Sequence, residues 1–67
     1  MKIILNNNSE VFEPGSLTVS ELLKVKNYTF KMLVIKVNGA LVKKSDYETT
    51  IISDGDEVMV LHLISGG

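Results

Sequence analysis

The chain contains no cysteine and no arginine. Without cysteine there is no disulfide and no thiolate zinc site, so any sulfur chemistry here has to use something other than a side-chain thiol. Without arginine the usual bidentate clamp for phosphate is missing. The seven basic residues are all lysines, set against eight acidic ones for a net charge of −1. The basic face expected of a nucleic-acid binder is therefore lacking. No apolar run approaches the roughly 20 residues that span a bilayer. The opening Met1-Lys2-Ile3-Ile4-Leu5 is too short for a signal peptide and has no cleavage region. No membrane partner and a cytoplasmic location are the expectations. At 67 residues the chain reads as one small domain. A domain this size buries only about 60% of the surface its unfolded form exposes and has little room for a ligand cleft of roughly 300–1,000 Å3.

What is present is strong local patterning. Residues 1–5 alternate as a strand, with Met1, Ile3 and Leu5 on one face and Lys2 and Ile4 on the other. Asn6-Asn7-Asn8-Ser9 reads as a turn, and Val11 and Phe12 as a second short strand ended by Pro14-Gly15. Thr18-Val19-Ser20-Glu21 has the capping-box spacing, and Val19, Leu22 and Leu23 then share one helical side. Lys24 and Lys26 suit the negative end of the dipole, and Asn27 is a stop signal, giving a helix of about nine residues. Leu33 to Val37 is a β-branched run followed by Asn38-Gly39, a strong hairpin signal, with Ala40-Leu41-Val42 as the return strand. Ser45 to Glu48 reads as one helical turn, Asp54-Gly55-Asp56 as a tight turn, and Glu57 to Ile64 as the last strand. The order ββαβββ predicts an α+β domain in two layers, one helix covering one face of a mixed four- to five-stranded sheet.

The chain ends in Ser65-Gly66-Gly67. At about 7% glycine usage a terminal pair arises by chance roughly once in 200 chains. Glycines adopt any backbone conformation and pass through a tunnel too narrow for a Cβ. A flexible tail over residues 65–67 can present its own carboxylate inside another protein's active site; a linker or a frayed end is the plainer alternative. Alternation puts Val58 and Val60 inward, and Met59, Leu61 and Leu63 outward with Ile4 and Val34. An outward apolar patch of this kind is either a binding surface or a sheet irregularity or dimer contact.

These residues resemble the ThiS-type sulfur carriers, ubiquitin-like β-grasp proteins of the MoaD/ThiS superfamily. The similarity runs over essentially the whole chain: Met1-Lys2-Ile3-Ile4-Leu5-Asn6, Thr18-Val19-Ser20-Glu21-Leu22-Leu23, Val37-Asn38-Gly39, Asp54-Gly55-Asp56-Glu57-Val58 and Gly66-Gly67. The resemblance implies a ubiquitin-like β-grasp fold and a carrier that is not itself an enzyme. It implies that a ThiF/MoeB-like adenylating enzyme activates Gly67 with ATP and that a sulfur donor such as a cysteine desulfurase converts it to a thiocarboxylate. A ThiG-like thiazole synthase then takes the sulfur for the thiamin precursor. No cofactor is expected on the chain itself, the ATP being used by the partner. Ile4, Met59, Leu61 and Leu63 are the expected partner-binding surface, with Ile64 at the root of the tail. The chain departs from the family pattern at Lys43-Lys44, where many relatives carry Pro and Arg. Ile64-Ser65 also lacks the proline lead-in associated with MoaD-type carriers. A MoaD-like carrier for molybdopterin synthesis and a ubiquitin-like protein modifier are the alternatives.

Other constellations read as structural. His62, the single histidine, fits a strand residue near the sheet edge. Asp54, Asp56 and Glu57 lack the 12-residue ligand loop of a calcium site and fit a turn, so no metal is expected. Asp46 and Glu48 fit a solvated turn, Lys43-Lys44 a surface run, and Tyr28 and Met32 packing near the helix end.

Overall fold

The computed structural model describes residues 1–13, 15–28 and 32–62. Among them the elements run β1 (Lys2–Leu5), β2 (Asn8–Val11), β3 (Ser16–Thr18), α1 (Val19–Val25), β4 (Leu33–Val37), β5 (Ala40–Val42), a single 3-10 turn (Lys44–Asp46), β6 (Ile51–Ser53) and β7 (Glu57–His62). Five strands form a mixed sheet in the order β2-β1-β7-β4-β5. The first and last strands run parallel at its centre, and the other neighbours are antiparallel. The main-sheet strands and the helix follow the expected ββαβββ order of the β-grasp. No helix among the described residues is long and apolar enough to cross a membrane.

Asparagine draws both hairpins tight. Asn6 and Asn7 have φ of 49° and 69°, and Asn38 and Gly39 have φ of 51° and 84°. Successive positive φ values are the type I′ signature, whose twist matches that of the flanking strands. A type I′ loop needs only two residues, so Asn8 and Ser9 belong to β2 and not to the turn, Asn8 pairing with Leu5. Phe12, expected in the strand, lies just beyond β2; its N–H still donates to the Met1 carbonyl at 2.8 Å. Pro14 lies outside the described residues.

The helix starts as its sequence dictates. The Glu21 N–H donates to Thr18 Oγ1 at 3.1 Å, and the Thr18 N–H donates back to Glu21 Oε1 at 2.9 Å. The two amides between them are satisfied by tertiary partners: Val19 N–H donates to the Thr50 carbonyl and Ser20 N–H to that of Tyr47, at 2.9 and 2.8 Å. All four amides of this terminus are thereby taken. The helix is seven residues and not nine, because Lys26 is already its C-cap. Asn27 turns left-handed at φ 57°, and Tyr28 N–H and Asn27 N–H reach the Leu23 and Lys24 carbonyls, the paired bonds of a Schellman ending.

Val19 and Leu22 of α1 pack with Ile3, Leu5, Ile35, Val58 and Val60 from one face of the large sheet. Val42, Leu17 and Ile52 complete this core. The last two come from β3 and β6, which pair with each other as a separate two-stranded sheet that the sequence reading did not anticipate. Each strand is three residues long, below the length at which alternation can be recognised.

Candidate functional site

The helix-free face of the large sheet follows from strand register. Ile4 pairs with Glu57 across the parallel ladder, and Val34 and Lys36 pair with Leu61 and Met59 across the antiparallel one. Lys36 in turn faces Leu41. Side chains at paired positions share a face, so Ile4, Met59, Leu61, Val34 and Leu41 lie together on the side opposite α1, interrupted by Lys36 and edged by Lys2 and Glu57. Val58 and Val60 point into the core and are buried, as alternation predicts. Ile4, Met59 and Val34 are half-buried by their neighbours, whereas Leu61 and Leu41 are exposed.

Where β4 starts and β5 ends, a groove of about 490 Å3 is lined from both sides of the sheet, by Val34 and Leu41 of this face and by Leu33, Val42 and Tyr47 of the core side, with Met32, Lys43 and Lys44. It lies beside the end of β7, because Leu33 at the head of β4 pairs with His62. Met32 is exposed along this groove and not packed at the helix end as expected, whereas Tyr28 does pack against the core. His62 also departs from expectation: it sits at the end of the central strand and not near a sheet edge.

Strand β7 is gripped at both ends by asparagine side chains from the two type I′ turns. At its start, Glu57 N–H donates to Asn38 Oδ1 at 2.8 Å while Asn38 N–H donates to the Glu57 carbonyl at 2.7 Å. Asn38 Nδ2 also donates to Asp56 Oδ1 at 3.1 Å. Toward its end, Val60 N–H donates to Asn6 Oδ1 at 2.7 Å, and Asn6 Nδ2 donates to the Val60 carbonyl at 3.1 Å. The turn aspartates serve the same framework. Asp54 Oδ1 accepts from Lys2 N–H at 2.7 Å, and Asp56 Oδ2 accepts from Ser53 N–H at 2.8 Å.

Among the described residues no three His, Asp or Glu side chains converge as a metal site would require. Among the described residues, one carboxyl and one amine with shifted titration stand in the scaffold. Glu21 is held below the usual glutamate value because it accepts the Thr18 backbone N–H and side-chain bonds of the capping box. Lys26 is raised by its hydrogen bond to Glu10, a 2.7 Å ion pair that ties the end of α1 to β2. The arrangement offers a surface for protein contact and a strand end, and its perturbed groups are accounted for by folding.

Of the residues expected at the site, Ile4, Met59 and Leu61 are brought onto one face. Leu63, Ile64, Ser65, Gly66 and Gly67 lie outside the described residues. Leu41 and the groove were missed. The signal was available, since Leu41 is the middle residue of the hairpin's return strand and its neighbour Val42 turns inward.

The ThiS family model matches residues 2–67. A crystal structure of the thiamine biosynthesis protein ThiS from Geobacter metallireducens superposes with a TM-score of 0.90 at 26% identity, all of both chains being covered. An NMR solution structure of a thiamine biosynthesis protein from the same organism gives 0.80 at 29% identity, covering 100% of this chain and 88% of the other. A thiazole synthase of Paramagnetospirillum magneticum is 30% identical over 67 residues, which are all of this chain but only 20% of that protein's length. An uncharacterized protein, ycf40, of Trieres chinensis is 23% identical over 66 residues, covering 98% of this chain and 90% of that one.

Proposed function

The chain belongs to the ThiS family, and from that premise we propose that it carries sulfur for thiamin thiazole formation on the terminal carboxylate of Gly67. The observation that carries this reading is the family match, which extends from the first strand through the glycine pair at the end. The stretch of the Paramagnetospirillum thiazole synthase that is similar to this chain supports a synthase of that kind as the sulfur acceptor, and favours the thiamin route over molybdopterin synthesis.

The chemistry follows from the carboxylate. With a pKa of about 3.3–3.7 it is ionised at neutral pH and a poor electrophile. Attack of the carboxylate on the α-phosphorus of ATP releases pyrophosphate and leaves an acyl-adenylate. The terminal sulfur of a donor persulfide then displaces AMP at the acyl carbon to give an acyl disulfide, and attack of a thiol on the donor's sulfur releases the thiocarboxylate with formation of a disulfide. These steps depend on partners, a ThiF/MoeB-like adenylating enzyme and a sulfur donor of the cysteine desulfurase type, and a ThiG-like synthase then consumes the product. The carrier contributes recognition and presentation. The five residues after His62 extend at most about 18 Å when straight, so the body must dock near the reacting centre. The face bearing Ile4, Met59 and Leu61 is the docking surface, with Leu63 and Ile64 leading into the tail. Apolar burial there offsets the entropy lost when a glycine tail is threaded.

Co-expression with the cognate adenylating enzyme, ATP and a sulfur source should shift the intact mass by one oxygen-for-sulfur exchange at Gly67. Removing Gly67 should abolish that shift while leaving the thermal midpoint unchanged. If the true partner yields neither acyl-adenylate nor thiocarboxylate, the reading is wrong.

A further inference from the structure

On the proposal that β7 leads into a reactive tail, the geometry points to Asn6 as a positioning residue for that tail, acting through Val60. Parallel pairing between β1 and β7 stops at Leu5 and Val58. Asn6 N–H still reaches the Val58 carbonyl at 2.9 Å, and the chain then turns away through the left-handed Asn6-Asn7 loop. Val60 therefore lies two residues past the last β1 partner, with its N–H and carbonyl directed to the side that β1 has left. The Asn6 side chain fills that place, its amide oxygen accepting from Val60 N–H at 2.7 Å and its amide nitrogen donating to the Val60 carbonyl at 3.1 Å. One side-chain amide thus substitutes for a strand's peptide group.

The consequence is mechanical. Through Val60 the last strand is held on both flanks, by β1 and Asn6 on one side and by β4 on the other. Asn6 thereby fixes Val60 on the flank that β1 has left, two residues before the last β4 pair at His62, and so steadies the strand end that leads into the tail. The turn alone does not need asparagine here. Glycine supplies positive φ at lower strain, so the clasp is a separate contribution of this side chain. Small errors in the direction of a tail are costly, because a misplacement of about 1 Å at a reacting centre lowers the rate on the order of 100-fold.

Asn6→Gly keeps the turn and deletes the clasp. Asn6→Asp keeps an acceptor for Val60 N–H, tolerates the left-handed backbone, and removes the donor to the Val60 carbonyl. Each full-length variant is compared with the parent by amide hydrogen exchange and by ATP–pyrophosphate exchange on the cognate adenylating enzyme, with carrier concentration varied and folding checked by circular dichroism. The expected result is exchange at Val60 about tenfold faster in Asn6→Gly, as for loss of roughly one net hydrogen bond, and little changed in Asn6→Asp, which keeps the acceptor. The kcat should fall about 10- to 100-fold while KM for the carrier stays the same, since the docking face is untouched. A merely structural asparagine would lose protection at Val60 and leave kcat alone, which overturns the inference. So does unchanged protection at Val60 in Asn6→Gly, or a rise in KM with kcat intact in either variant. If the parent itself is not adenylated the sulfur-carrier reading fails and takes this role with it; an active parent with kinetically normal variants sinks only the role of Asn6.

Discussion

Truncating Leu61 tests whether the helix-free face docks the activating enzyme. Leu61 is 44% exposed in the free carrier, so roughly that share of its side chain is available for burial against a partner. Leucine to alanine removes three carbons, worth about 2.4 kcal/mol at ~0.8 kcal/mol each when fully buried. The exposed share gives about 1 kcal/mol, or close to fivefold in affinity. Ile51 provides the control. It is also a large exposed apolar residue, 60% exposed, but it lies on β6 in the separate small sheet. In steady-state ATP–pyrophosphate exchange with carrier as the varied substrate, Leu61→Ala should raise KM about fivefold and leave kcat unchanged. Ile51→Ala should alter neither. Both variants must be folded at the assay temperature, which a thermal melt establishes. The reasoning is refuted if Ile51→Ala raises KM as much as Leu61→Ala does, or if Leu61→Ala has no effect, because the difference between the two sites is the whole content of the claim.

Three further predictions concern the scaffold. Thr18→Ala removes the acceptor of the Glu21 amide and should cost about 1 kcal/mol, lowering the thermal midpoint by roughly 4–8 °C in a domain this small; an unchanged melt would show that the cap is dispensable. Ile52→Ala empties a fully buried site in β6 and should cost about 2–5 kcal/mol, much of the total stability at ~0.05–0.15 kcal/mol per residue, as read by urea unfolding. The pH dependence has two limbs with opposite signs. The Glu21 carboxyl is lowered, so its contribution is present above the unfolded-state glutamate value and is lost as pH falls through the lower folded value. The Lys26 amine is raised, so its contribution is complete below the ordinary lysine value and is lost as pH rises through the higher folded value. Urea unfolding of Glu21→Gln should therefore converge with the parent on acidification, and that of Lys26→Met on strong alkalinisation; a gap that stays constant across pH would contradict either assignment.

Legibility varied with the range of the interaction. The capping box and the Asn38-Gly39 turn were readable because each is complete within a few residues. So was the inward and outward sorting of β7, since alternation is a local period. The helix came out two residues short of expectation because the Schellman ending at Asn27 starts earlier than the lysine pattern suggests. The first turn was read as four residues where two suffice, since a run of three asparagines does not mark which of them goes left-handed. The small β3–β6 sheet escaped notice because Leu17 and Ile52 are each flanked by single polar or short-strand residues. Only their mutual pairing across 35 positions of sequence identifies them.

The amino-acid order by itself determined the local vocabulary of this protein: where chain direction reverses, where the helix begins, which residues of the first and last strands turn inward, and the glycine pair at the end that connects it with sulfur carriers. Tertiary structure decided the neighbours. It set β7 between β1 and β4, which gathers Ile4, Met59, Leu61, Val34 and Leu41 onto one face. It also brought Asn6 to Val60, 54 residues away. The physical reason is that a turn or a cap is stabilised by contacts within its own few residues. A strand's choice of partner depends on the closed arrangement of the whole sheet around its core, and no short-range period encodes it.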